Sequence, residues 1–578
     1  MSSLTRRLKG SSRAIAAWSL SVVFAAGTPV GAFAQDGVVA RQTPGIAQTT
    51  AQDSAPKQNP ITQPLALSPE VGKQRVGVIP GEVAALSLQD SITVALQNNL
   101  DIEQFREGVR ISQFSLNSLR GIYDIVSSAD VNYRSQTIPI ANLFQGGGNT
   151  GSLTNRTVTW NFITNQLIEK GGGFWQAEFD SNRIKTSSTA ATLSTQYSPV
   201  LALSFTQPLL RNFKIDQNRR SILIAKKSLD LSDSQFRQRV IEIINQVQRA
   251  YWDLVFAIRN ERIARESVEL TRTQLENNRK MVEAGTLPPI DLRSTEAALE
   301  SRKGDVIVAL QGITTAENVL KSLLIKDSTD KLWNAEIQPS DEPQFGTQSF
   351  SLDEATRLAL KNRPELDQIR IQTEQKGVDI DFYKNQLKPQ VDLYGLYTNN
   401  GLAGAPSTLD GVVQVPERFI GGYGQALNNL FGQDFKTYQF GVRLSFPWRN
   451  RTAEGNLGRS LAESRQLDAR QRQLVQFVQI DVRNALQSVE AARLRFEAAQ
   501  AGRIAADAQL KGEQEKFRAG LSTTFFVLQR QTDLSVAQGT EVRALTDYNK
   551  ALADLQRVTG MTLVSNNLQV SSSDEPKK

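Results

Sequence analysis

The chain of 578 residues contains no cysteine and no histidine. The absence of cysteine excludes disulfides, thiolate nucleophiles and thiol-linked lipid anchors, and the two absences together exclude Cys/His zinc sites and histidine-containing catalytic triads. Any metal site would need oxygen ligands, and any general base would be a carboxylate, a lysine or a tyrosine.

Long apolar runs are also scarce. Hydrophobic residues make up 40% of the chain, and its mean hydropathy is −0.33. A polytopic helical membrane protein is therefore excluded. No apolar run of about 18 residues follows the first 34 residues, so we expect no transmembrane helix in the mature chain.

The first 34 residues have the pattern of a secretory signal. An apolar stretch over residues 14–26 is preceded by four basic residues, Arg6, Arg7, Lys9 and Arg13, and is followed by Ala32-Phe33-Ala34, which fits the small-x-small cleavage rule. A single N-terminal membrane anchor is the alternative. Removal of residues 1–34 lowers the net charge from +7 to +3, and no clustered basic stripe remains, so we expect no nucleic-acid partner.

The rest of the chain is an internal duplication. At an offset of 235 positions Gly285 matches Gly520, and identities recur through the helical segments on both sides, for example Ala250 with Ala485 and Leu299 with Leu534. Nearer the start of each half, Leu88 matches Leu352 at an offset of 264. The predicted order in each half is a helix, two strands, a very long helix, a glycine turn and a return helix.

The long helices are predicted over about residues 215–284 and 454–519, because neither range contains proline. In the first range apolar residues recur every seven positions: Ile215, Ile222, Leu229, Phe236, Ile243, Ala250, Ala257 and Ala264. Sustained heptads of this kind favour left-handed coiled-coil packing. Gly285 and Gly520 follow as turn residues that tolerate the left-handed conformation, so each half should contain an antiparallel helical hairpin.

Between the helices the apolar period changes from 3.5 to 2. Four predicted strands contain this alternation, around Val131, Leu201, Val391 and Phe440. Strands of about ten residues that are apolar on one side and polar on the other are typical of transmembrane β-barrels, and glycine-rich loops are predicted between them over 136–175 and 398–437. Four strands cannot close a barrel, and an open edge in lipid leaves backbone groups unpaired. Two or more chains should therefore share one barrel.

These patterns divide the chain into six segments. They are a signal peptide (1–34), a disordered linker (35–85), a first structural repeat (86–325), a second linker (326–349), a second structural repeat (350–560) and a disordered tail (561–578).

The pattern resembles the TolC-like outer-membrane efflux and export channels. The resemblance is carried by the order, twice over, of short motifs: Leu88-x-x-Ser91-Ile92-x-x-Ala95-Leu96-x-Asn98, Leu352-x-x-Ala355-x-x-x-Ala359-Leu360-x-Asn362, Thr206-Gln207-Pro208-Leu209, Lys388-Pro389-Gln390-Val391 and the Ala-Gly pairs at 284–285 and 519–520. It covers about residues 86–560.

The resemblance implies a mainly α fold in which long helical hairpins are combined with four membrane strands per chain. Three chains would then form a 12-stranded barrel in the outer membrane of a Gram-negative bacterium and a helical tunnel across the periplasm. The implied partners are a periplasmic adaptor, an inner-membrane transporter and outer-membrane lipid. The implied role is a passive exit duct for drugs, small molecules or proteins, in an efflux pump or a type I secretion system. Because the pump supplies the energy, no cofactor is expected.

The family closes the inner end of its tunnel with charged side chains near the glycine turns. In this sequence Asp291 matches one such aspartate, whereas the places of the two ring-forming acids fall on Phe526 and Gln529, and that of their partner arginine falls on Ser522. A constriction at Phe525 or Phe526 that gates by dewetting is one hypothesis for this aperture. Packing of one phenylalanine against the neighbouring helix is the other.

Two other functions are compatible with parts of the sequence. A periplasmic coiled-coil adaptor or scaffold would account for one helical hairpin, but not for a strand pair repeated between helices. A secreted enzyme would have to use carboxylates such as Asp253 and Glu261, whose spacing is that of a solvated helix face, so we expect no enzymatic activity.

Overall fold

The computed structural model describes residues 75–79, 81–140, 146, 151–346, 351–407 and 415–570. The predicted signal peptide (1–34), residues 35–74 of the predicted linker and the last eight residues lie outside this part of the chain. Both halves have the predicted order of an initial helical segment, strands, a very long helix and a return helix, but the first half contains more strands than predicted.

Helices account for most of the described structure. They are α1 (Leu88–Asn98), α2 (Leu100–Arg120), α3 (Gln217–Glu283), α4 (Pro289–Leu324), α5 (Lys331–Asn334), α6 (Leu352–Asn362), α7 (Pro364–Gln386), α8 (Tyr423–Phe431), α9 (Arg451–Arg518), α10 (Thr524–Val558) and α11 (Thr562–Ser565). None of the helices in the described ranges is both long enough and apolar enough to cross a membrane.

The helix predicted at the start of each half is broken at one equivalent position. Asn99 separates α1 from α2, and its side chain accepts hydrogen bonds from the N–H groups of Asp101 and Ile102, so that it caps the second helix. Arg363, at the same place in the second half, precedes Pro364, which occupies the first turn of α7. The breaks arise because an asparagine cap and a proline each favour a new helix start.

The two long helices have 67 and 68 residues, so each is about 100 Å long at 1.5 Å per residue. Their predicted heptad positions are buried where the hairpins pack. In α9 a run of apolar residues spaced alternately four and three positions apart is buried, namely Val478, Val482, Ala485, Val489, Ala492 and Phe496. In α3 the heptad residues Phe236, Ile243, Ala250 and Ala257 are buried. The apolar period therefore locates the seam correctly.

The helices pack side by side in a fixed order. The return helix α4 packs against α3, α10 lies between α3 and α9, and α7 lies in the same way between α3 and α9 nearer the sheet. Of the two long helices, α2 packs against α3 and not against α9. This arrangement leaves α2 and α4 on one side of the subunit and α9 on the other.

The strands belong to two sheets. The long strands are β2 (Val126–Pro139), β3 (Ser152–Leu167), β4 (Phe174–Thr186), β5 (Leu193–Pro208), β7 (Gln390–Asn400) and β9 (Lys436–Ser445), with the short β8 (Ala403–Pro406). They form one antiparallel sheet in the order β2-β3-β4-β5-β7-β9, and β8 pairs with β5. Two short strands, β1 (Val83–Leu86) and β6 (Glu336–Pro339), form a separate parallel pair.

The architecture matches the predicted one, but the number of strands does not. All four predicted strands are present as β2, β5, β7 and β9. The range 136–175, predicted as one glycine-rich loop, instead contains all of β3 and the start of β4. Residues 398–437 likewise contain β8 and α8. Each chain therefore contributes six long strands to the sheet, and the prediction of four is too low.

The structure also changes the limits of the predicted linkers and tail. Three of the four residues of β1 lie in the predicted linker 35–85, and its partner β6 lies in the predicted linker 326–349. In the predicted tail, Leu563, Leu568 and Val570 pack against the core around α3. These segments are ordered because they cover apolar side chains midway along the long helices.

Candidate functional site

The large sheet has one apolar face and one polar face across all six strands. Because directly paired residues lie on the same face of a sheet, a row of cross-strand partners shows what that face presents. One such row is Ala129, Phe162, Phe179 and Leu201, and another is Trp175, Phe205, Gly395 and Phe440. A row on the opposite face is Asn132, Thr159, Asn182 and Ser198.

The hairpin of β3 and β4 shares this division, since Phe162 and Phe179 lie on the apolar face and their sequence neighbours Asn161 and Asp180 lie on the polar one. It is therefore part of the same two-faced sheet. One face of this kind suits lipid and the other suits a water-filled lumen.

Aromatic side chains bound the apolar face at both ends. At the end remote from the long helices, the indole of Trp160 donates a hydrogen bond to the Tyr423 hydroxyl at 3.2 Å, and the Tyr423 ring also lies 6.0 Å from that of Tyr197. At the helical end, Trp448 follows β9 and is 92% exposed. Amphipathic aromatics at the two ends of an apolar band are typical of membrane interfaces.

The sheet does not close on itself. Within the described ranges β2 pairs only with β3, and β9 pairs only with β7. All 14 residues of β2 and nine of the ten in β9 are exposed. Since α2 leads into β2 and β9 leads into α9, the two open strand edges lie on the same two sides of the subunit as α2 and α9.

The far ends of the two hairpins are glycine turns of the same kind. Gly285 and Gly520 have φ values of +73° and +75°. In each turn a backbone hydrogen bond from the residue after the glycine satisfies one of the last carbonyl groups of the long helix. Thr286 N–H donates to Met281 O at 2.9 Å, and Leu521 N–H donates to Lys516 O at 2.9 Å. These positions require glycine because other residues rarely adopt positive φ.

Phe525 and Phe526 lie in the first turn of α10, directly after the second glycine turn. They are 66% and 49% exposed, and their rings meet edge to face at a centroid distance of 5.6 Å. The next residue, Val527, is fully buried with Leu510 and Leu534 and holds this end of α10 against α9. In the subunit, therefore, Val527 supplies the packing and the two phenylalanines remain largely uncovered.

Two of the polar residues predicted at the aperture, Ser522 and Gln529, form hydrogen bonds within their own helical hairpin. Ser522 donates a hydrogen bond from its hydroxyl to the carboxylate of Glu513, and this bond lowers the pKa of Glu513 below its ordinary value. Gln529 donates to Asp533 at 3.1 Å. The Asp291 side chain lies in the first turn of α4, where an acidic residue is favourable to the helix dipole. Among the described residues no cation forms an ion pair with Asp291.

A buried polar cluster joins the tips of the two hairpins, and the sequence reading did not find it. The amide nitrogen of Asn278 in α3 donates to the Thr295 hydroxyl of α4 at 2.8 Å and to the Thr524 hydroxyl of α10 at 3.4 Å. All three side chains are fully buried. The available signal was an asparagine at an otherwise apolar helical position near a turn. In the part of the chain that the structure describes, no group of three acidic side chains is placed to hold a metal ion.

Comparison with known sequences gives one family. The sequence profile of the outer membrane efflux protein family matches residues 176–324 and 355–561, which together are more than half of the chain. The two matched ranges lie in the two halves of the duplication. A search of curated protein sequences gave no match.

Solved structures share the fold at low identity. A membrane protein from Pseudomonas aeruginosa is 15% identical, with a TM-score of 0.59 over 83% of this chain and 93% of that one. The CmeC outer membrane channel of Campylobacter jejuni is 15% identical, with a TM-score of 0.56 over 88% and 94%. The open state of the MtrE outer membrane channel of Neisseria gonorrhoeae is 17% identical, with a TM-score of 0.54 over 82% and 89%.

Proposed function

This chain belongs to the outer membrane efflux protein family and serves as the outer-membrane exit duct of an efflux pump, and we propose that it does so as a homotrimer with an 18-stranded barrel. Channels of this family generally form trimers and work with adaptor proteins and inner-membrane transporters. The observation that carries the proposal is the six-stranded, two-faced sheet with two open edges, which continues into helices about 100 Å long.

The open edges supply the reason for assembly. An unpaired strand edge in hydrocarbon leaves N–H and C=O groups without partners, at several kcal/mol for each group. Pairing β2 of one copy with β9 of the next removes both edges, and it places α2 and α4 of one copy beside α9 of the next. Six strands from each of three copies give 18 strands rather than the 12 implied by the family resemblance. Barrels of about 16–18 strands enclose an aqueous channel, so this lumen would be wider than that of a 12-stranded barrel.

The helical tunnel then ends at the glycine turns. We place the aperture at Asp291, Ser522, Phe525, Phe526 and Gln529, which lie on or just after these turns. The exposed pair of phenylalanines supports a hydrophobic constriction there, because three copies would bring six such rings to the tunnel axis. The periplasmic adaptor and the inner-membrane transporter would meet the duct from this end. A free-standing adaptor is not favoured, because such a protein has no use for an apolar sheet face that runs across six strands.

Disulfide cross-linking tests the assembly, and the chain suits it because it contains no cysteine of its own. Val131→Cys in β2 is combined in turn with cysteine at each outward position of β9, namely Tyr438, Phe440, Val442 and Leu444. Oxidation in outer membranes should give covalent trimers for at least one combination. Val131→Cys with Leu203→Cys is the control, because β3 and β4 separate these two strands in the six-stranded sheet.

The two possible failures point to different errors. Cross-linking of the control pair within one chain would show that β2 pairs directly with β5 and that the barrel has 12 strands. Absence of intermolecular products from every β2–β9 combination would contradict the shared barrel itself.

A further inference from the structure

Three basic side chains form an uncompensated cluster on the apolar face of the sheet. Arg156 on β3 is directly paired with Lys185 on β4, and Arg183 lies two residues before Lys185 on the same face. All three side chains are exposed. Directly paired residues in antiparallel strands have Cβ atoms about 5 Å apart, and like charges at this distance destabilise the pair. We call these three residues the basic triad.

No acidic group of the same face offsets these charges. The remaining cross-strand neighbours of the triad are Ser135, Val158, Tyr197 and Thr195, all of them neutral. The guanidinium of Arg183 lies 5.9 Å from the ring centroid of Tyr197 and is held there by a cation–π contact. Within the described ranges no member of the triad takes part in an ion pair.

The two loops that join β2 to β3 and β4 to β5 do not supply an acid either. Residues 140–151 connect β2 to β3, and residues 187–192 connect β4 to β5, and neither range contains a charged residue. An arginine and a lysine are therefore kept side by side on an outward face, and neither the strands paired with them nor the two loops that join these strands supply an anion. A bound anion from outside the protein would turn this unfavourable pair into a favourable one.

The position of the triad identifies the kind of anion. The triad lies at the end of the sheet remote from the long helices, and because the helices extend into the periplasm, this end faces the outer leaflet. Counted from Trp160 toward the end of the sheet remote from the helices, Arg183 lies in the next row of the same face. Arg156 and Lys185 lie in the row after that. Lipid headgroups occupy this depth, and arginine binds phosphate through two parallel N–H···O bonds.

We propose that the basic triad of Arg156, Arg183 and Lys185 binds the phosphate groups of a phosphorylated glycolipid in the outer leaflet of the outer membrane. Trp160 lies one row below Arg183, Tyr197 is paired directly with Arg183, and the Tyr423 ring contacts both of these aromatic rings. These three side chains would contact the upper part of the acyl chains. The proposal rests on the outer-membrane placement of the sheet and does not depend on the number of strands in the barrel.

Lipid binding to the purified full-length channel in a neutral detergent tests the proposal. The probes are bisphosphorylated lipid A and the same lipid with both phosphates removed, with binding measured by native mass spectrometry. The test variant is Arg156→Gln/Lys185→Gln. The matched control is Arg134→Gln/Arg443→Gln, which removes two charges from the polar face of the same sheet.

We expect the bisphosphorylated lipid to bind the test variant about 30-fold more weakly than the parent, from the contribution of two cations near a membrane surface. The control variant should bind it as the parent does, and the dephosphorylated lipid should not distinguish the three proteins. Equal affinity of the parent for the two lipids would overturn the proposal without any variant, and so would an equal loss in the control variant.

Inorganic phosphate separates the two sources of this anion. If phosphate alone at low millimolar concentration displaced the bisphosphorylated lipid completely, the triad would be a site for free phosphate, and the lipid assignment would be wrong. Conductance and trimer formation should be unchanged in the test variant, so a failure here is distinguishable from a failure of the proposed assembly.

Discussion

The Nδ2 atom of Asn278 lies 3.4 Å from the Oγ1 atom of Thr524, so a fully buried hydrogen bond joins a long helix of the first half of the duplication to the return helix of the second half. The same amide group also binds Thr295. The two glycine turns are therefore held together by polar contacts within one subunit, close to where we place the aperture.

Loss of the Asn278 amide should loosen the hairpin tips. Asn278→Ala leaves the hydroxyls of Thr295 and Thr524 buried without this partner, which costs about 1–3 kcal/mol of local stability. We expect higher single-channel conductance in planar bilayers and faster proteolysis at the tips. Asn277→Ala, which alters an exposed neighbour on the same turn of α3, is the control. Identical behaviour of the two variants would show that the buried cluster does not restrain the tips.

Truncation of Phe526 should widen the aperture directly. Phe526→Ala removes a half-exposed ring from the proposed constriction, so single-channel conductance should rise in a planar bilayer while stability changes little, because Val527 and not Phe526 packs into the core. Leu521→Ala removes another exposed apolar side chain from the same turn and should leave the conductance unchanged. A phenylalanine that merely packs on a neighbouring helix would lower stability without raising the conductance.

The sequence predicted the helices well because each of their signals is local. The heptads located the buried seams, and the Ala-Gly pairs located both turns, since positive φ at Gly285 and Gly520 leaves few other choices of residue. The resemblance assigned the aperture to these turns from position alone.

The strands β3 and β4 were missed for a physical reason. Only Val158, Trp160 and Phe162 alternate clearly in β3, since the lumen-facing positions and both strand ends are polar. The glycine clusters at 146–148 and 171–173 predict a single loop, whereas the glycines at 171–173 form the tight turn of an additional hairpin. Pairing with β2 and β5 stabilises these strands, and that contribution does not appear in their own sequence.

The contact between Asn278 and Thr524 could not be predicted either. The two residues are 246 positions apart, and the rotation of α3 relative to α10 decides whether they meet. Repeat matching at an offset of 235 relates α3 to α9, and it says nothing about which helices from different halves pack together.

A buried ionic cluster fixes the chain before β1 to the middle of the helical region. Glu317 accepts a hydrogen bond from Arg75 at 2.5 Å and lies 2.6 Å from the Lys321 ammonium, and both Glu317 and Lys321 are 1% exposed. Glu317→Ala leaves the buried Lys321 ammonium with the Trp333 carbonyl oxygen but without a carboxylate, which should destabilise the subunit by roughly 3–5 kcal/mol. Chemical unfolding in detergent measures this loss.

Glu300→Ala provides the comparison on the same helix, because the Glu300 side chain is 60% exposed and its ion pair with Lys303 is open to solvent. Exposed pairs contribute about 1 kcal/mol or less. The Glu317 variant should also become sensitive to trypsin near Arg75. If the two variants lost the same stability, the cluster around Glu317 would not anchor this segment.

Tyr251 should make the protein sensitive to alkaline pH. Its hydroxyl is fully buried between β1 and the segment after β6, where it lies 3.2 Å from the Leu86 carbonyl oxygen and accepts a hydrogen bond from the Asp341 N–H at 3.1 Å. Burial raises the pKa of Tyr251 to about 12, whereas a tyrosine in an unfolded chain has a pKa of about 10. The folded protein therefore retains a proton that the unfolded chain has already released between these two values.

The sign of the effect follows from proton binding. Where the folded state binds more protons, the free energy of unfolding falls as pH rises, so the contribution of Tyr251 is complete below about pH 10 and is lost by about pH 12. Tyr251→Phe should cost about 1–3 kcal/mol at neutral pH, because Leu86 and Asp341 lose a buried partner. Between pH 10 and 12 its unfolding free energy should fall less steeply than that of the parent, so the two curves converge. Curves that stay parallel across this range would show that Tyr251 titrates alike in both states, and that burial at the junction of β1 and β6 does not hold its proton.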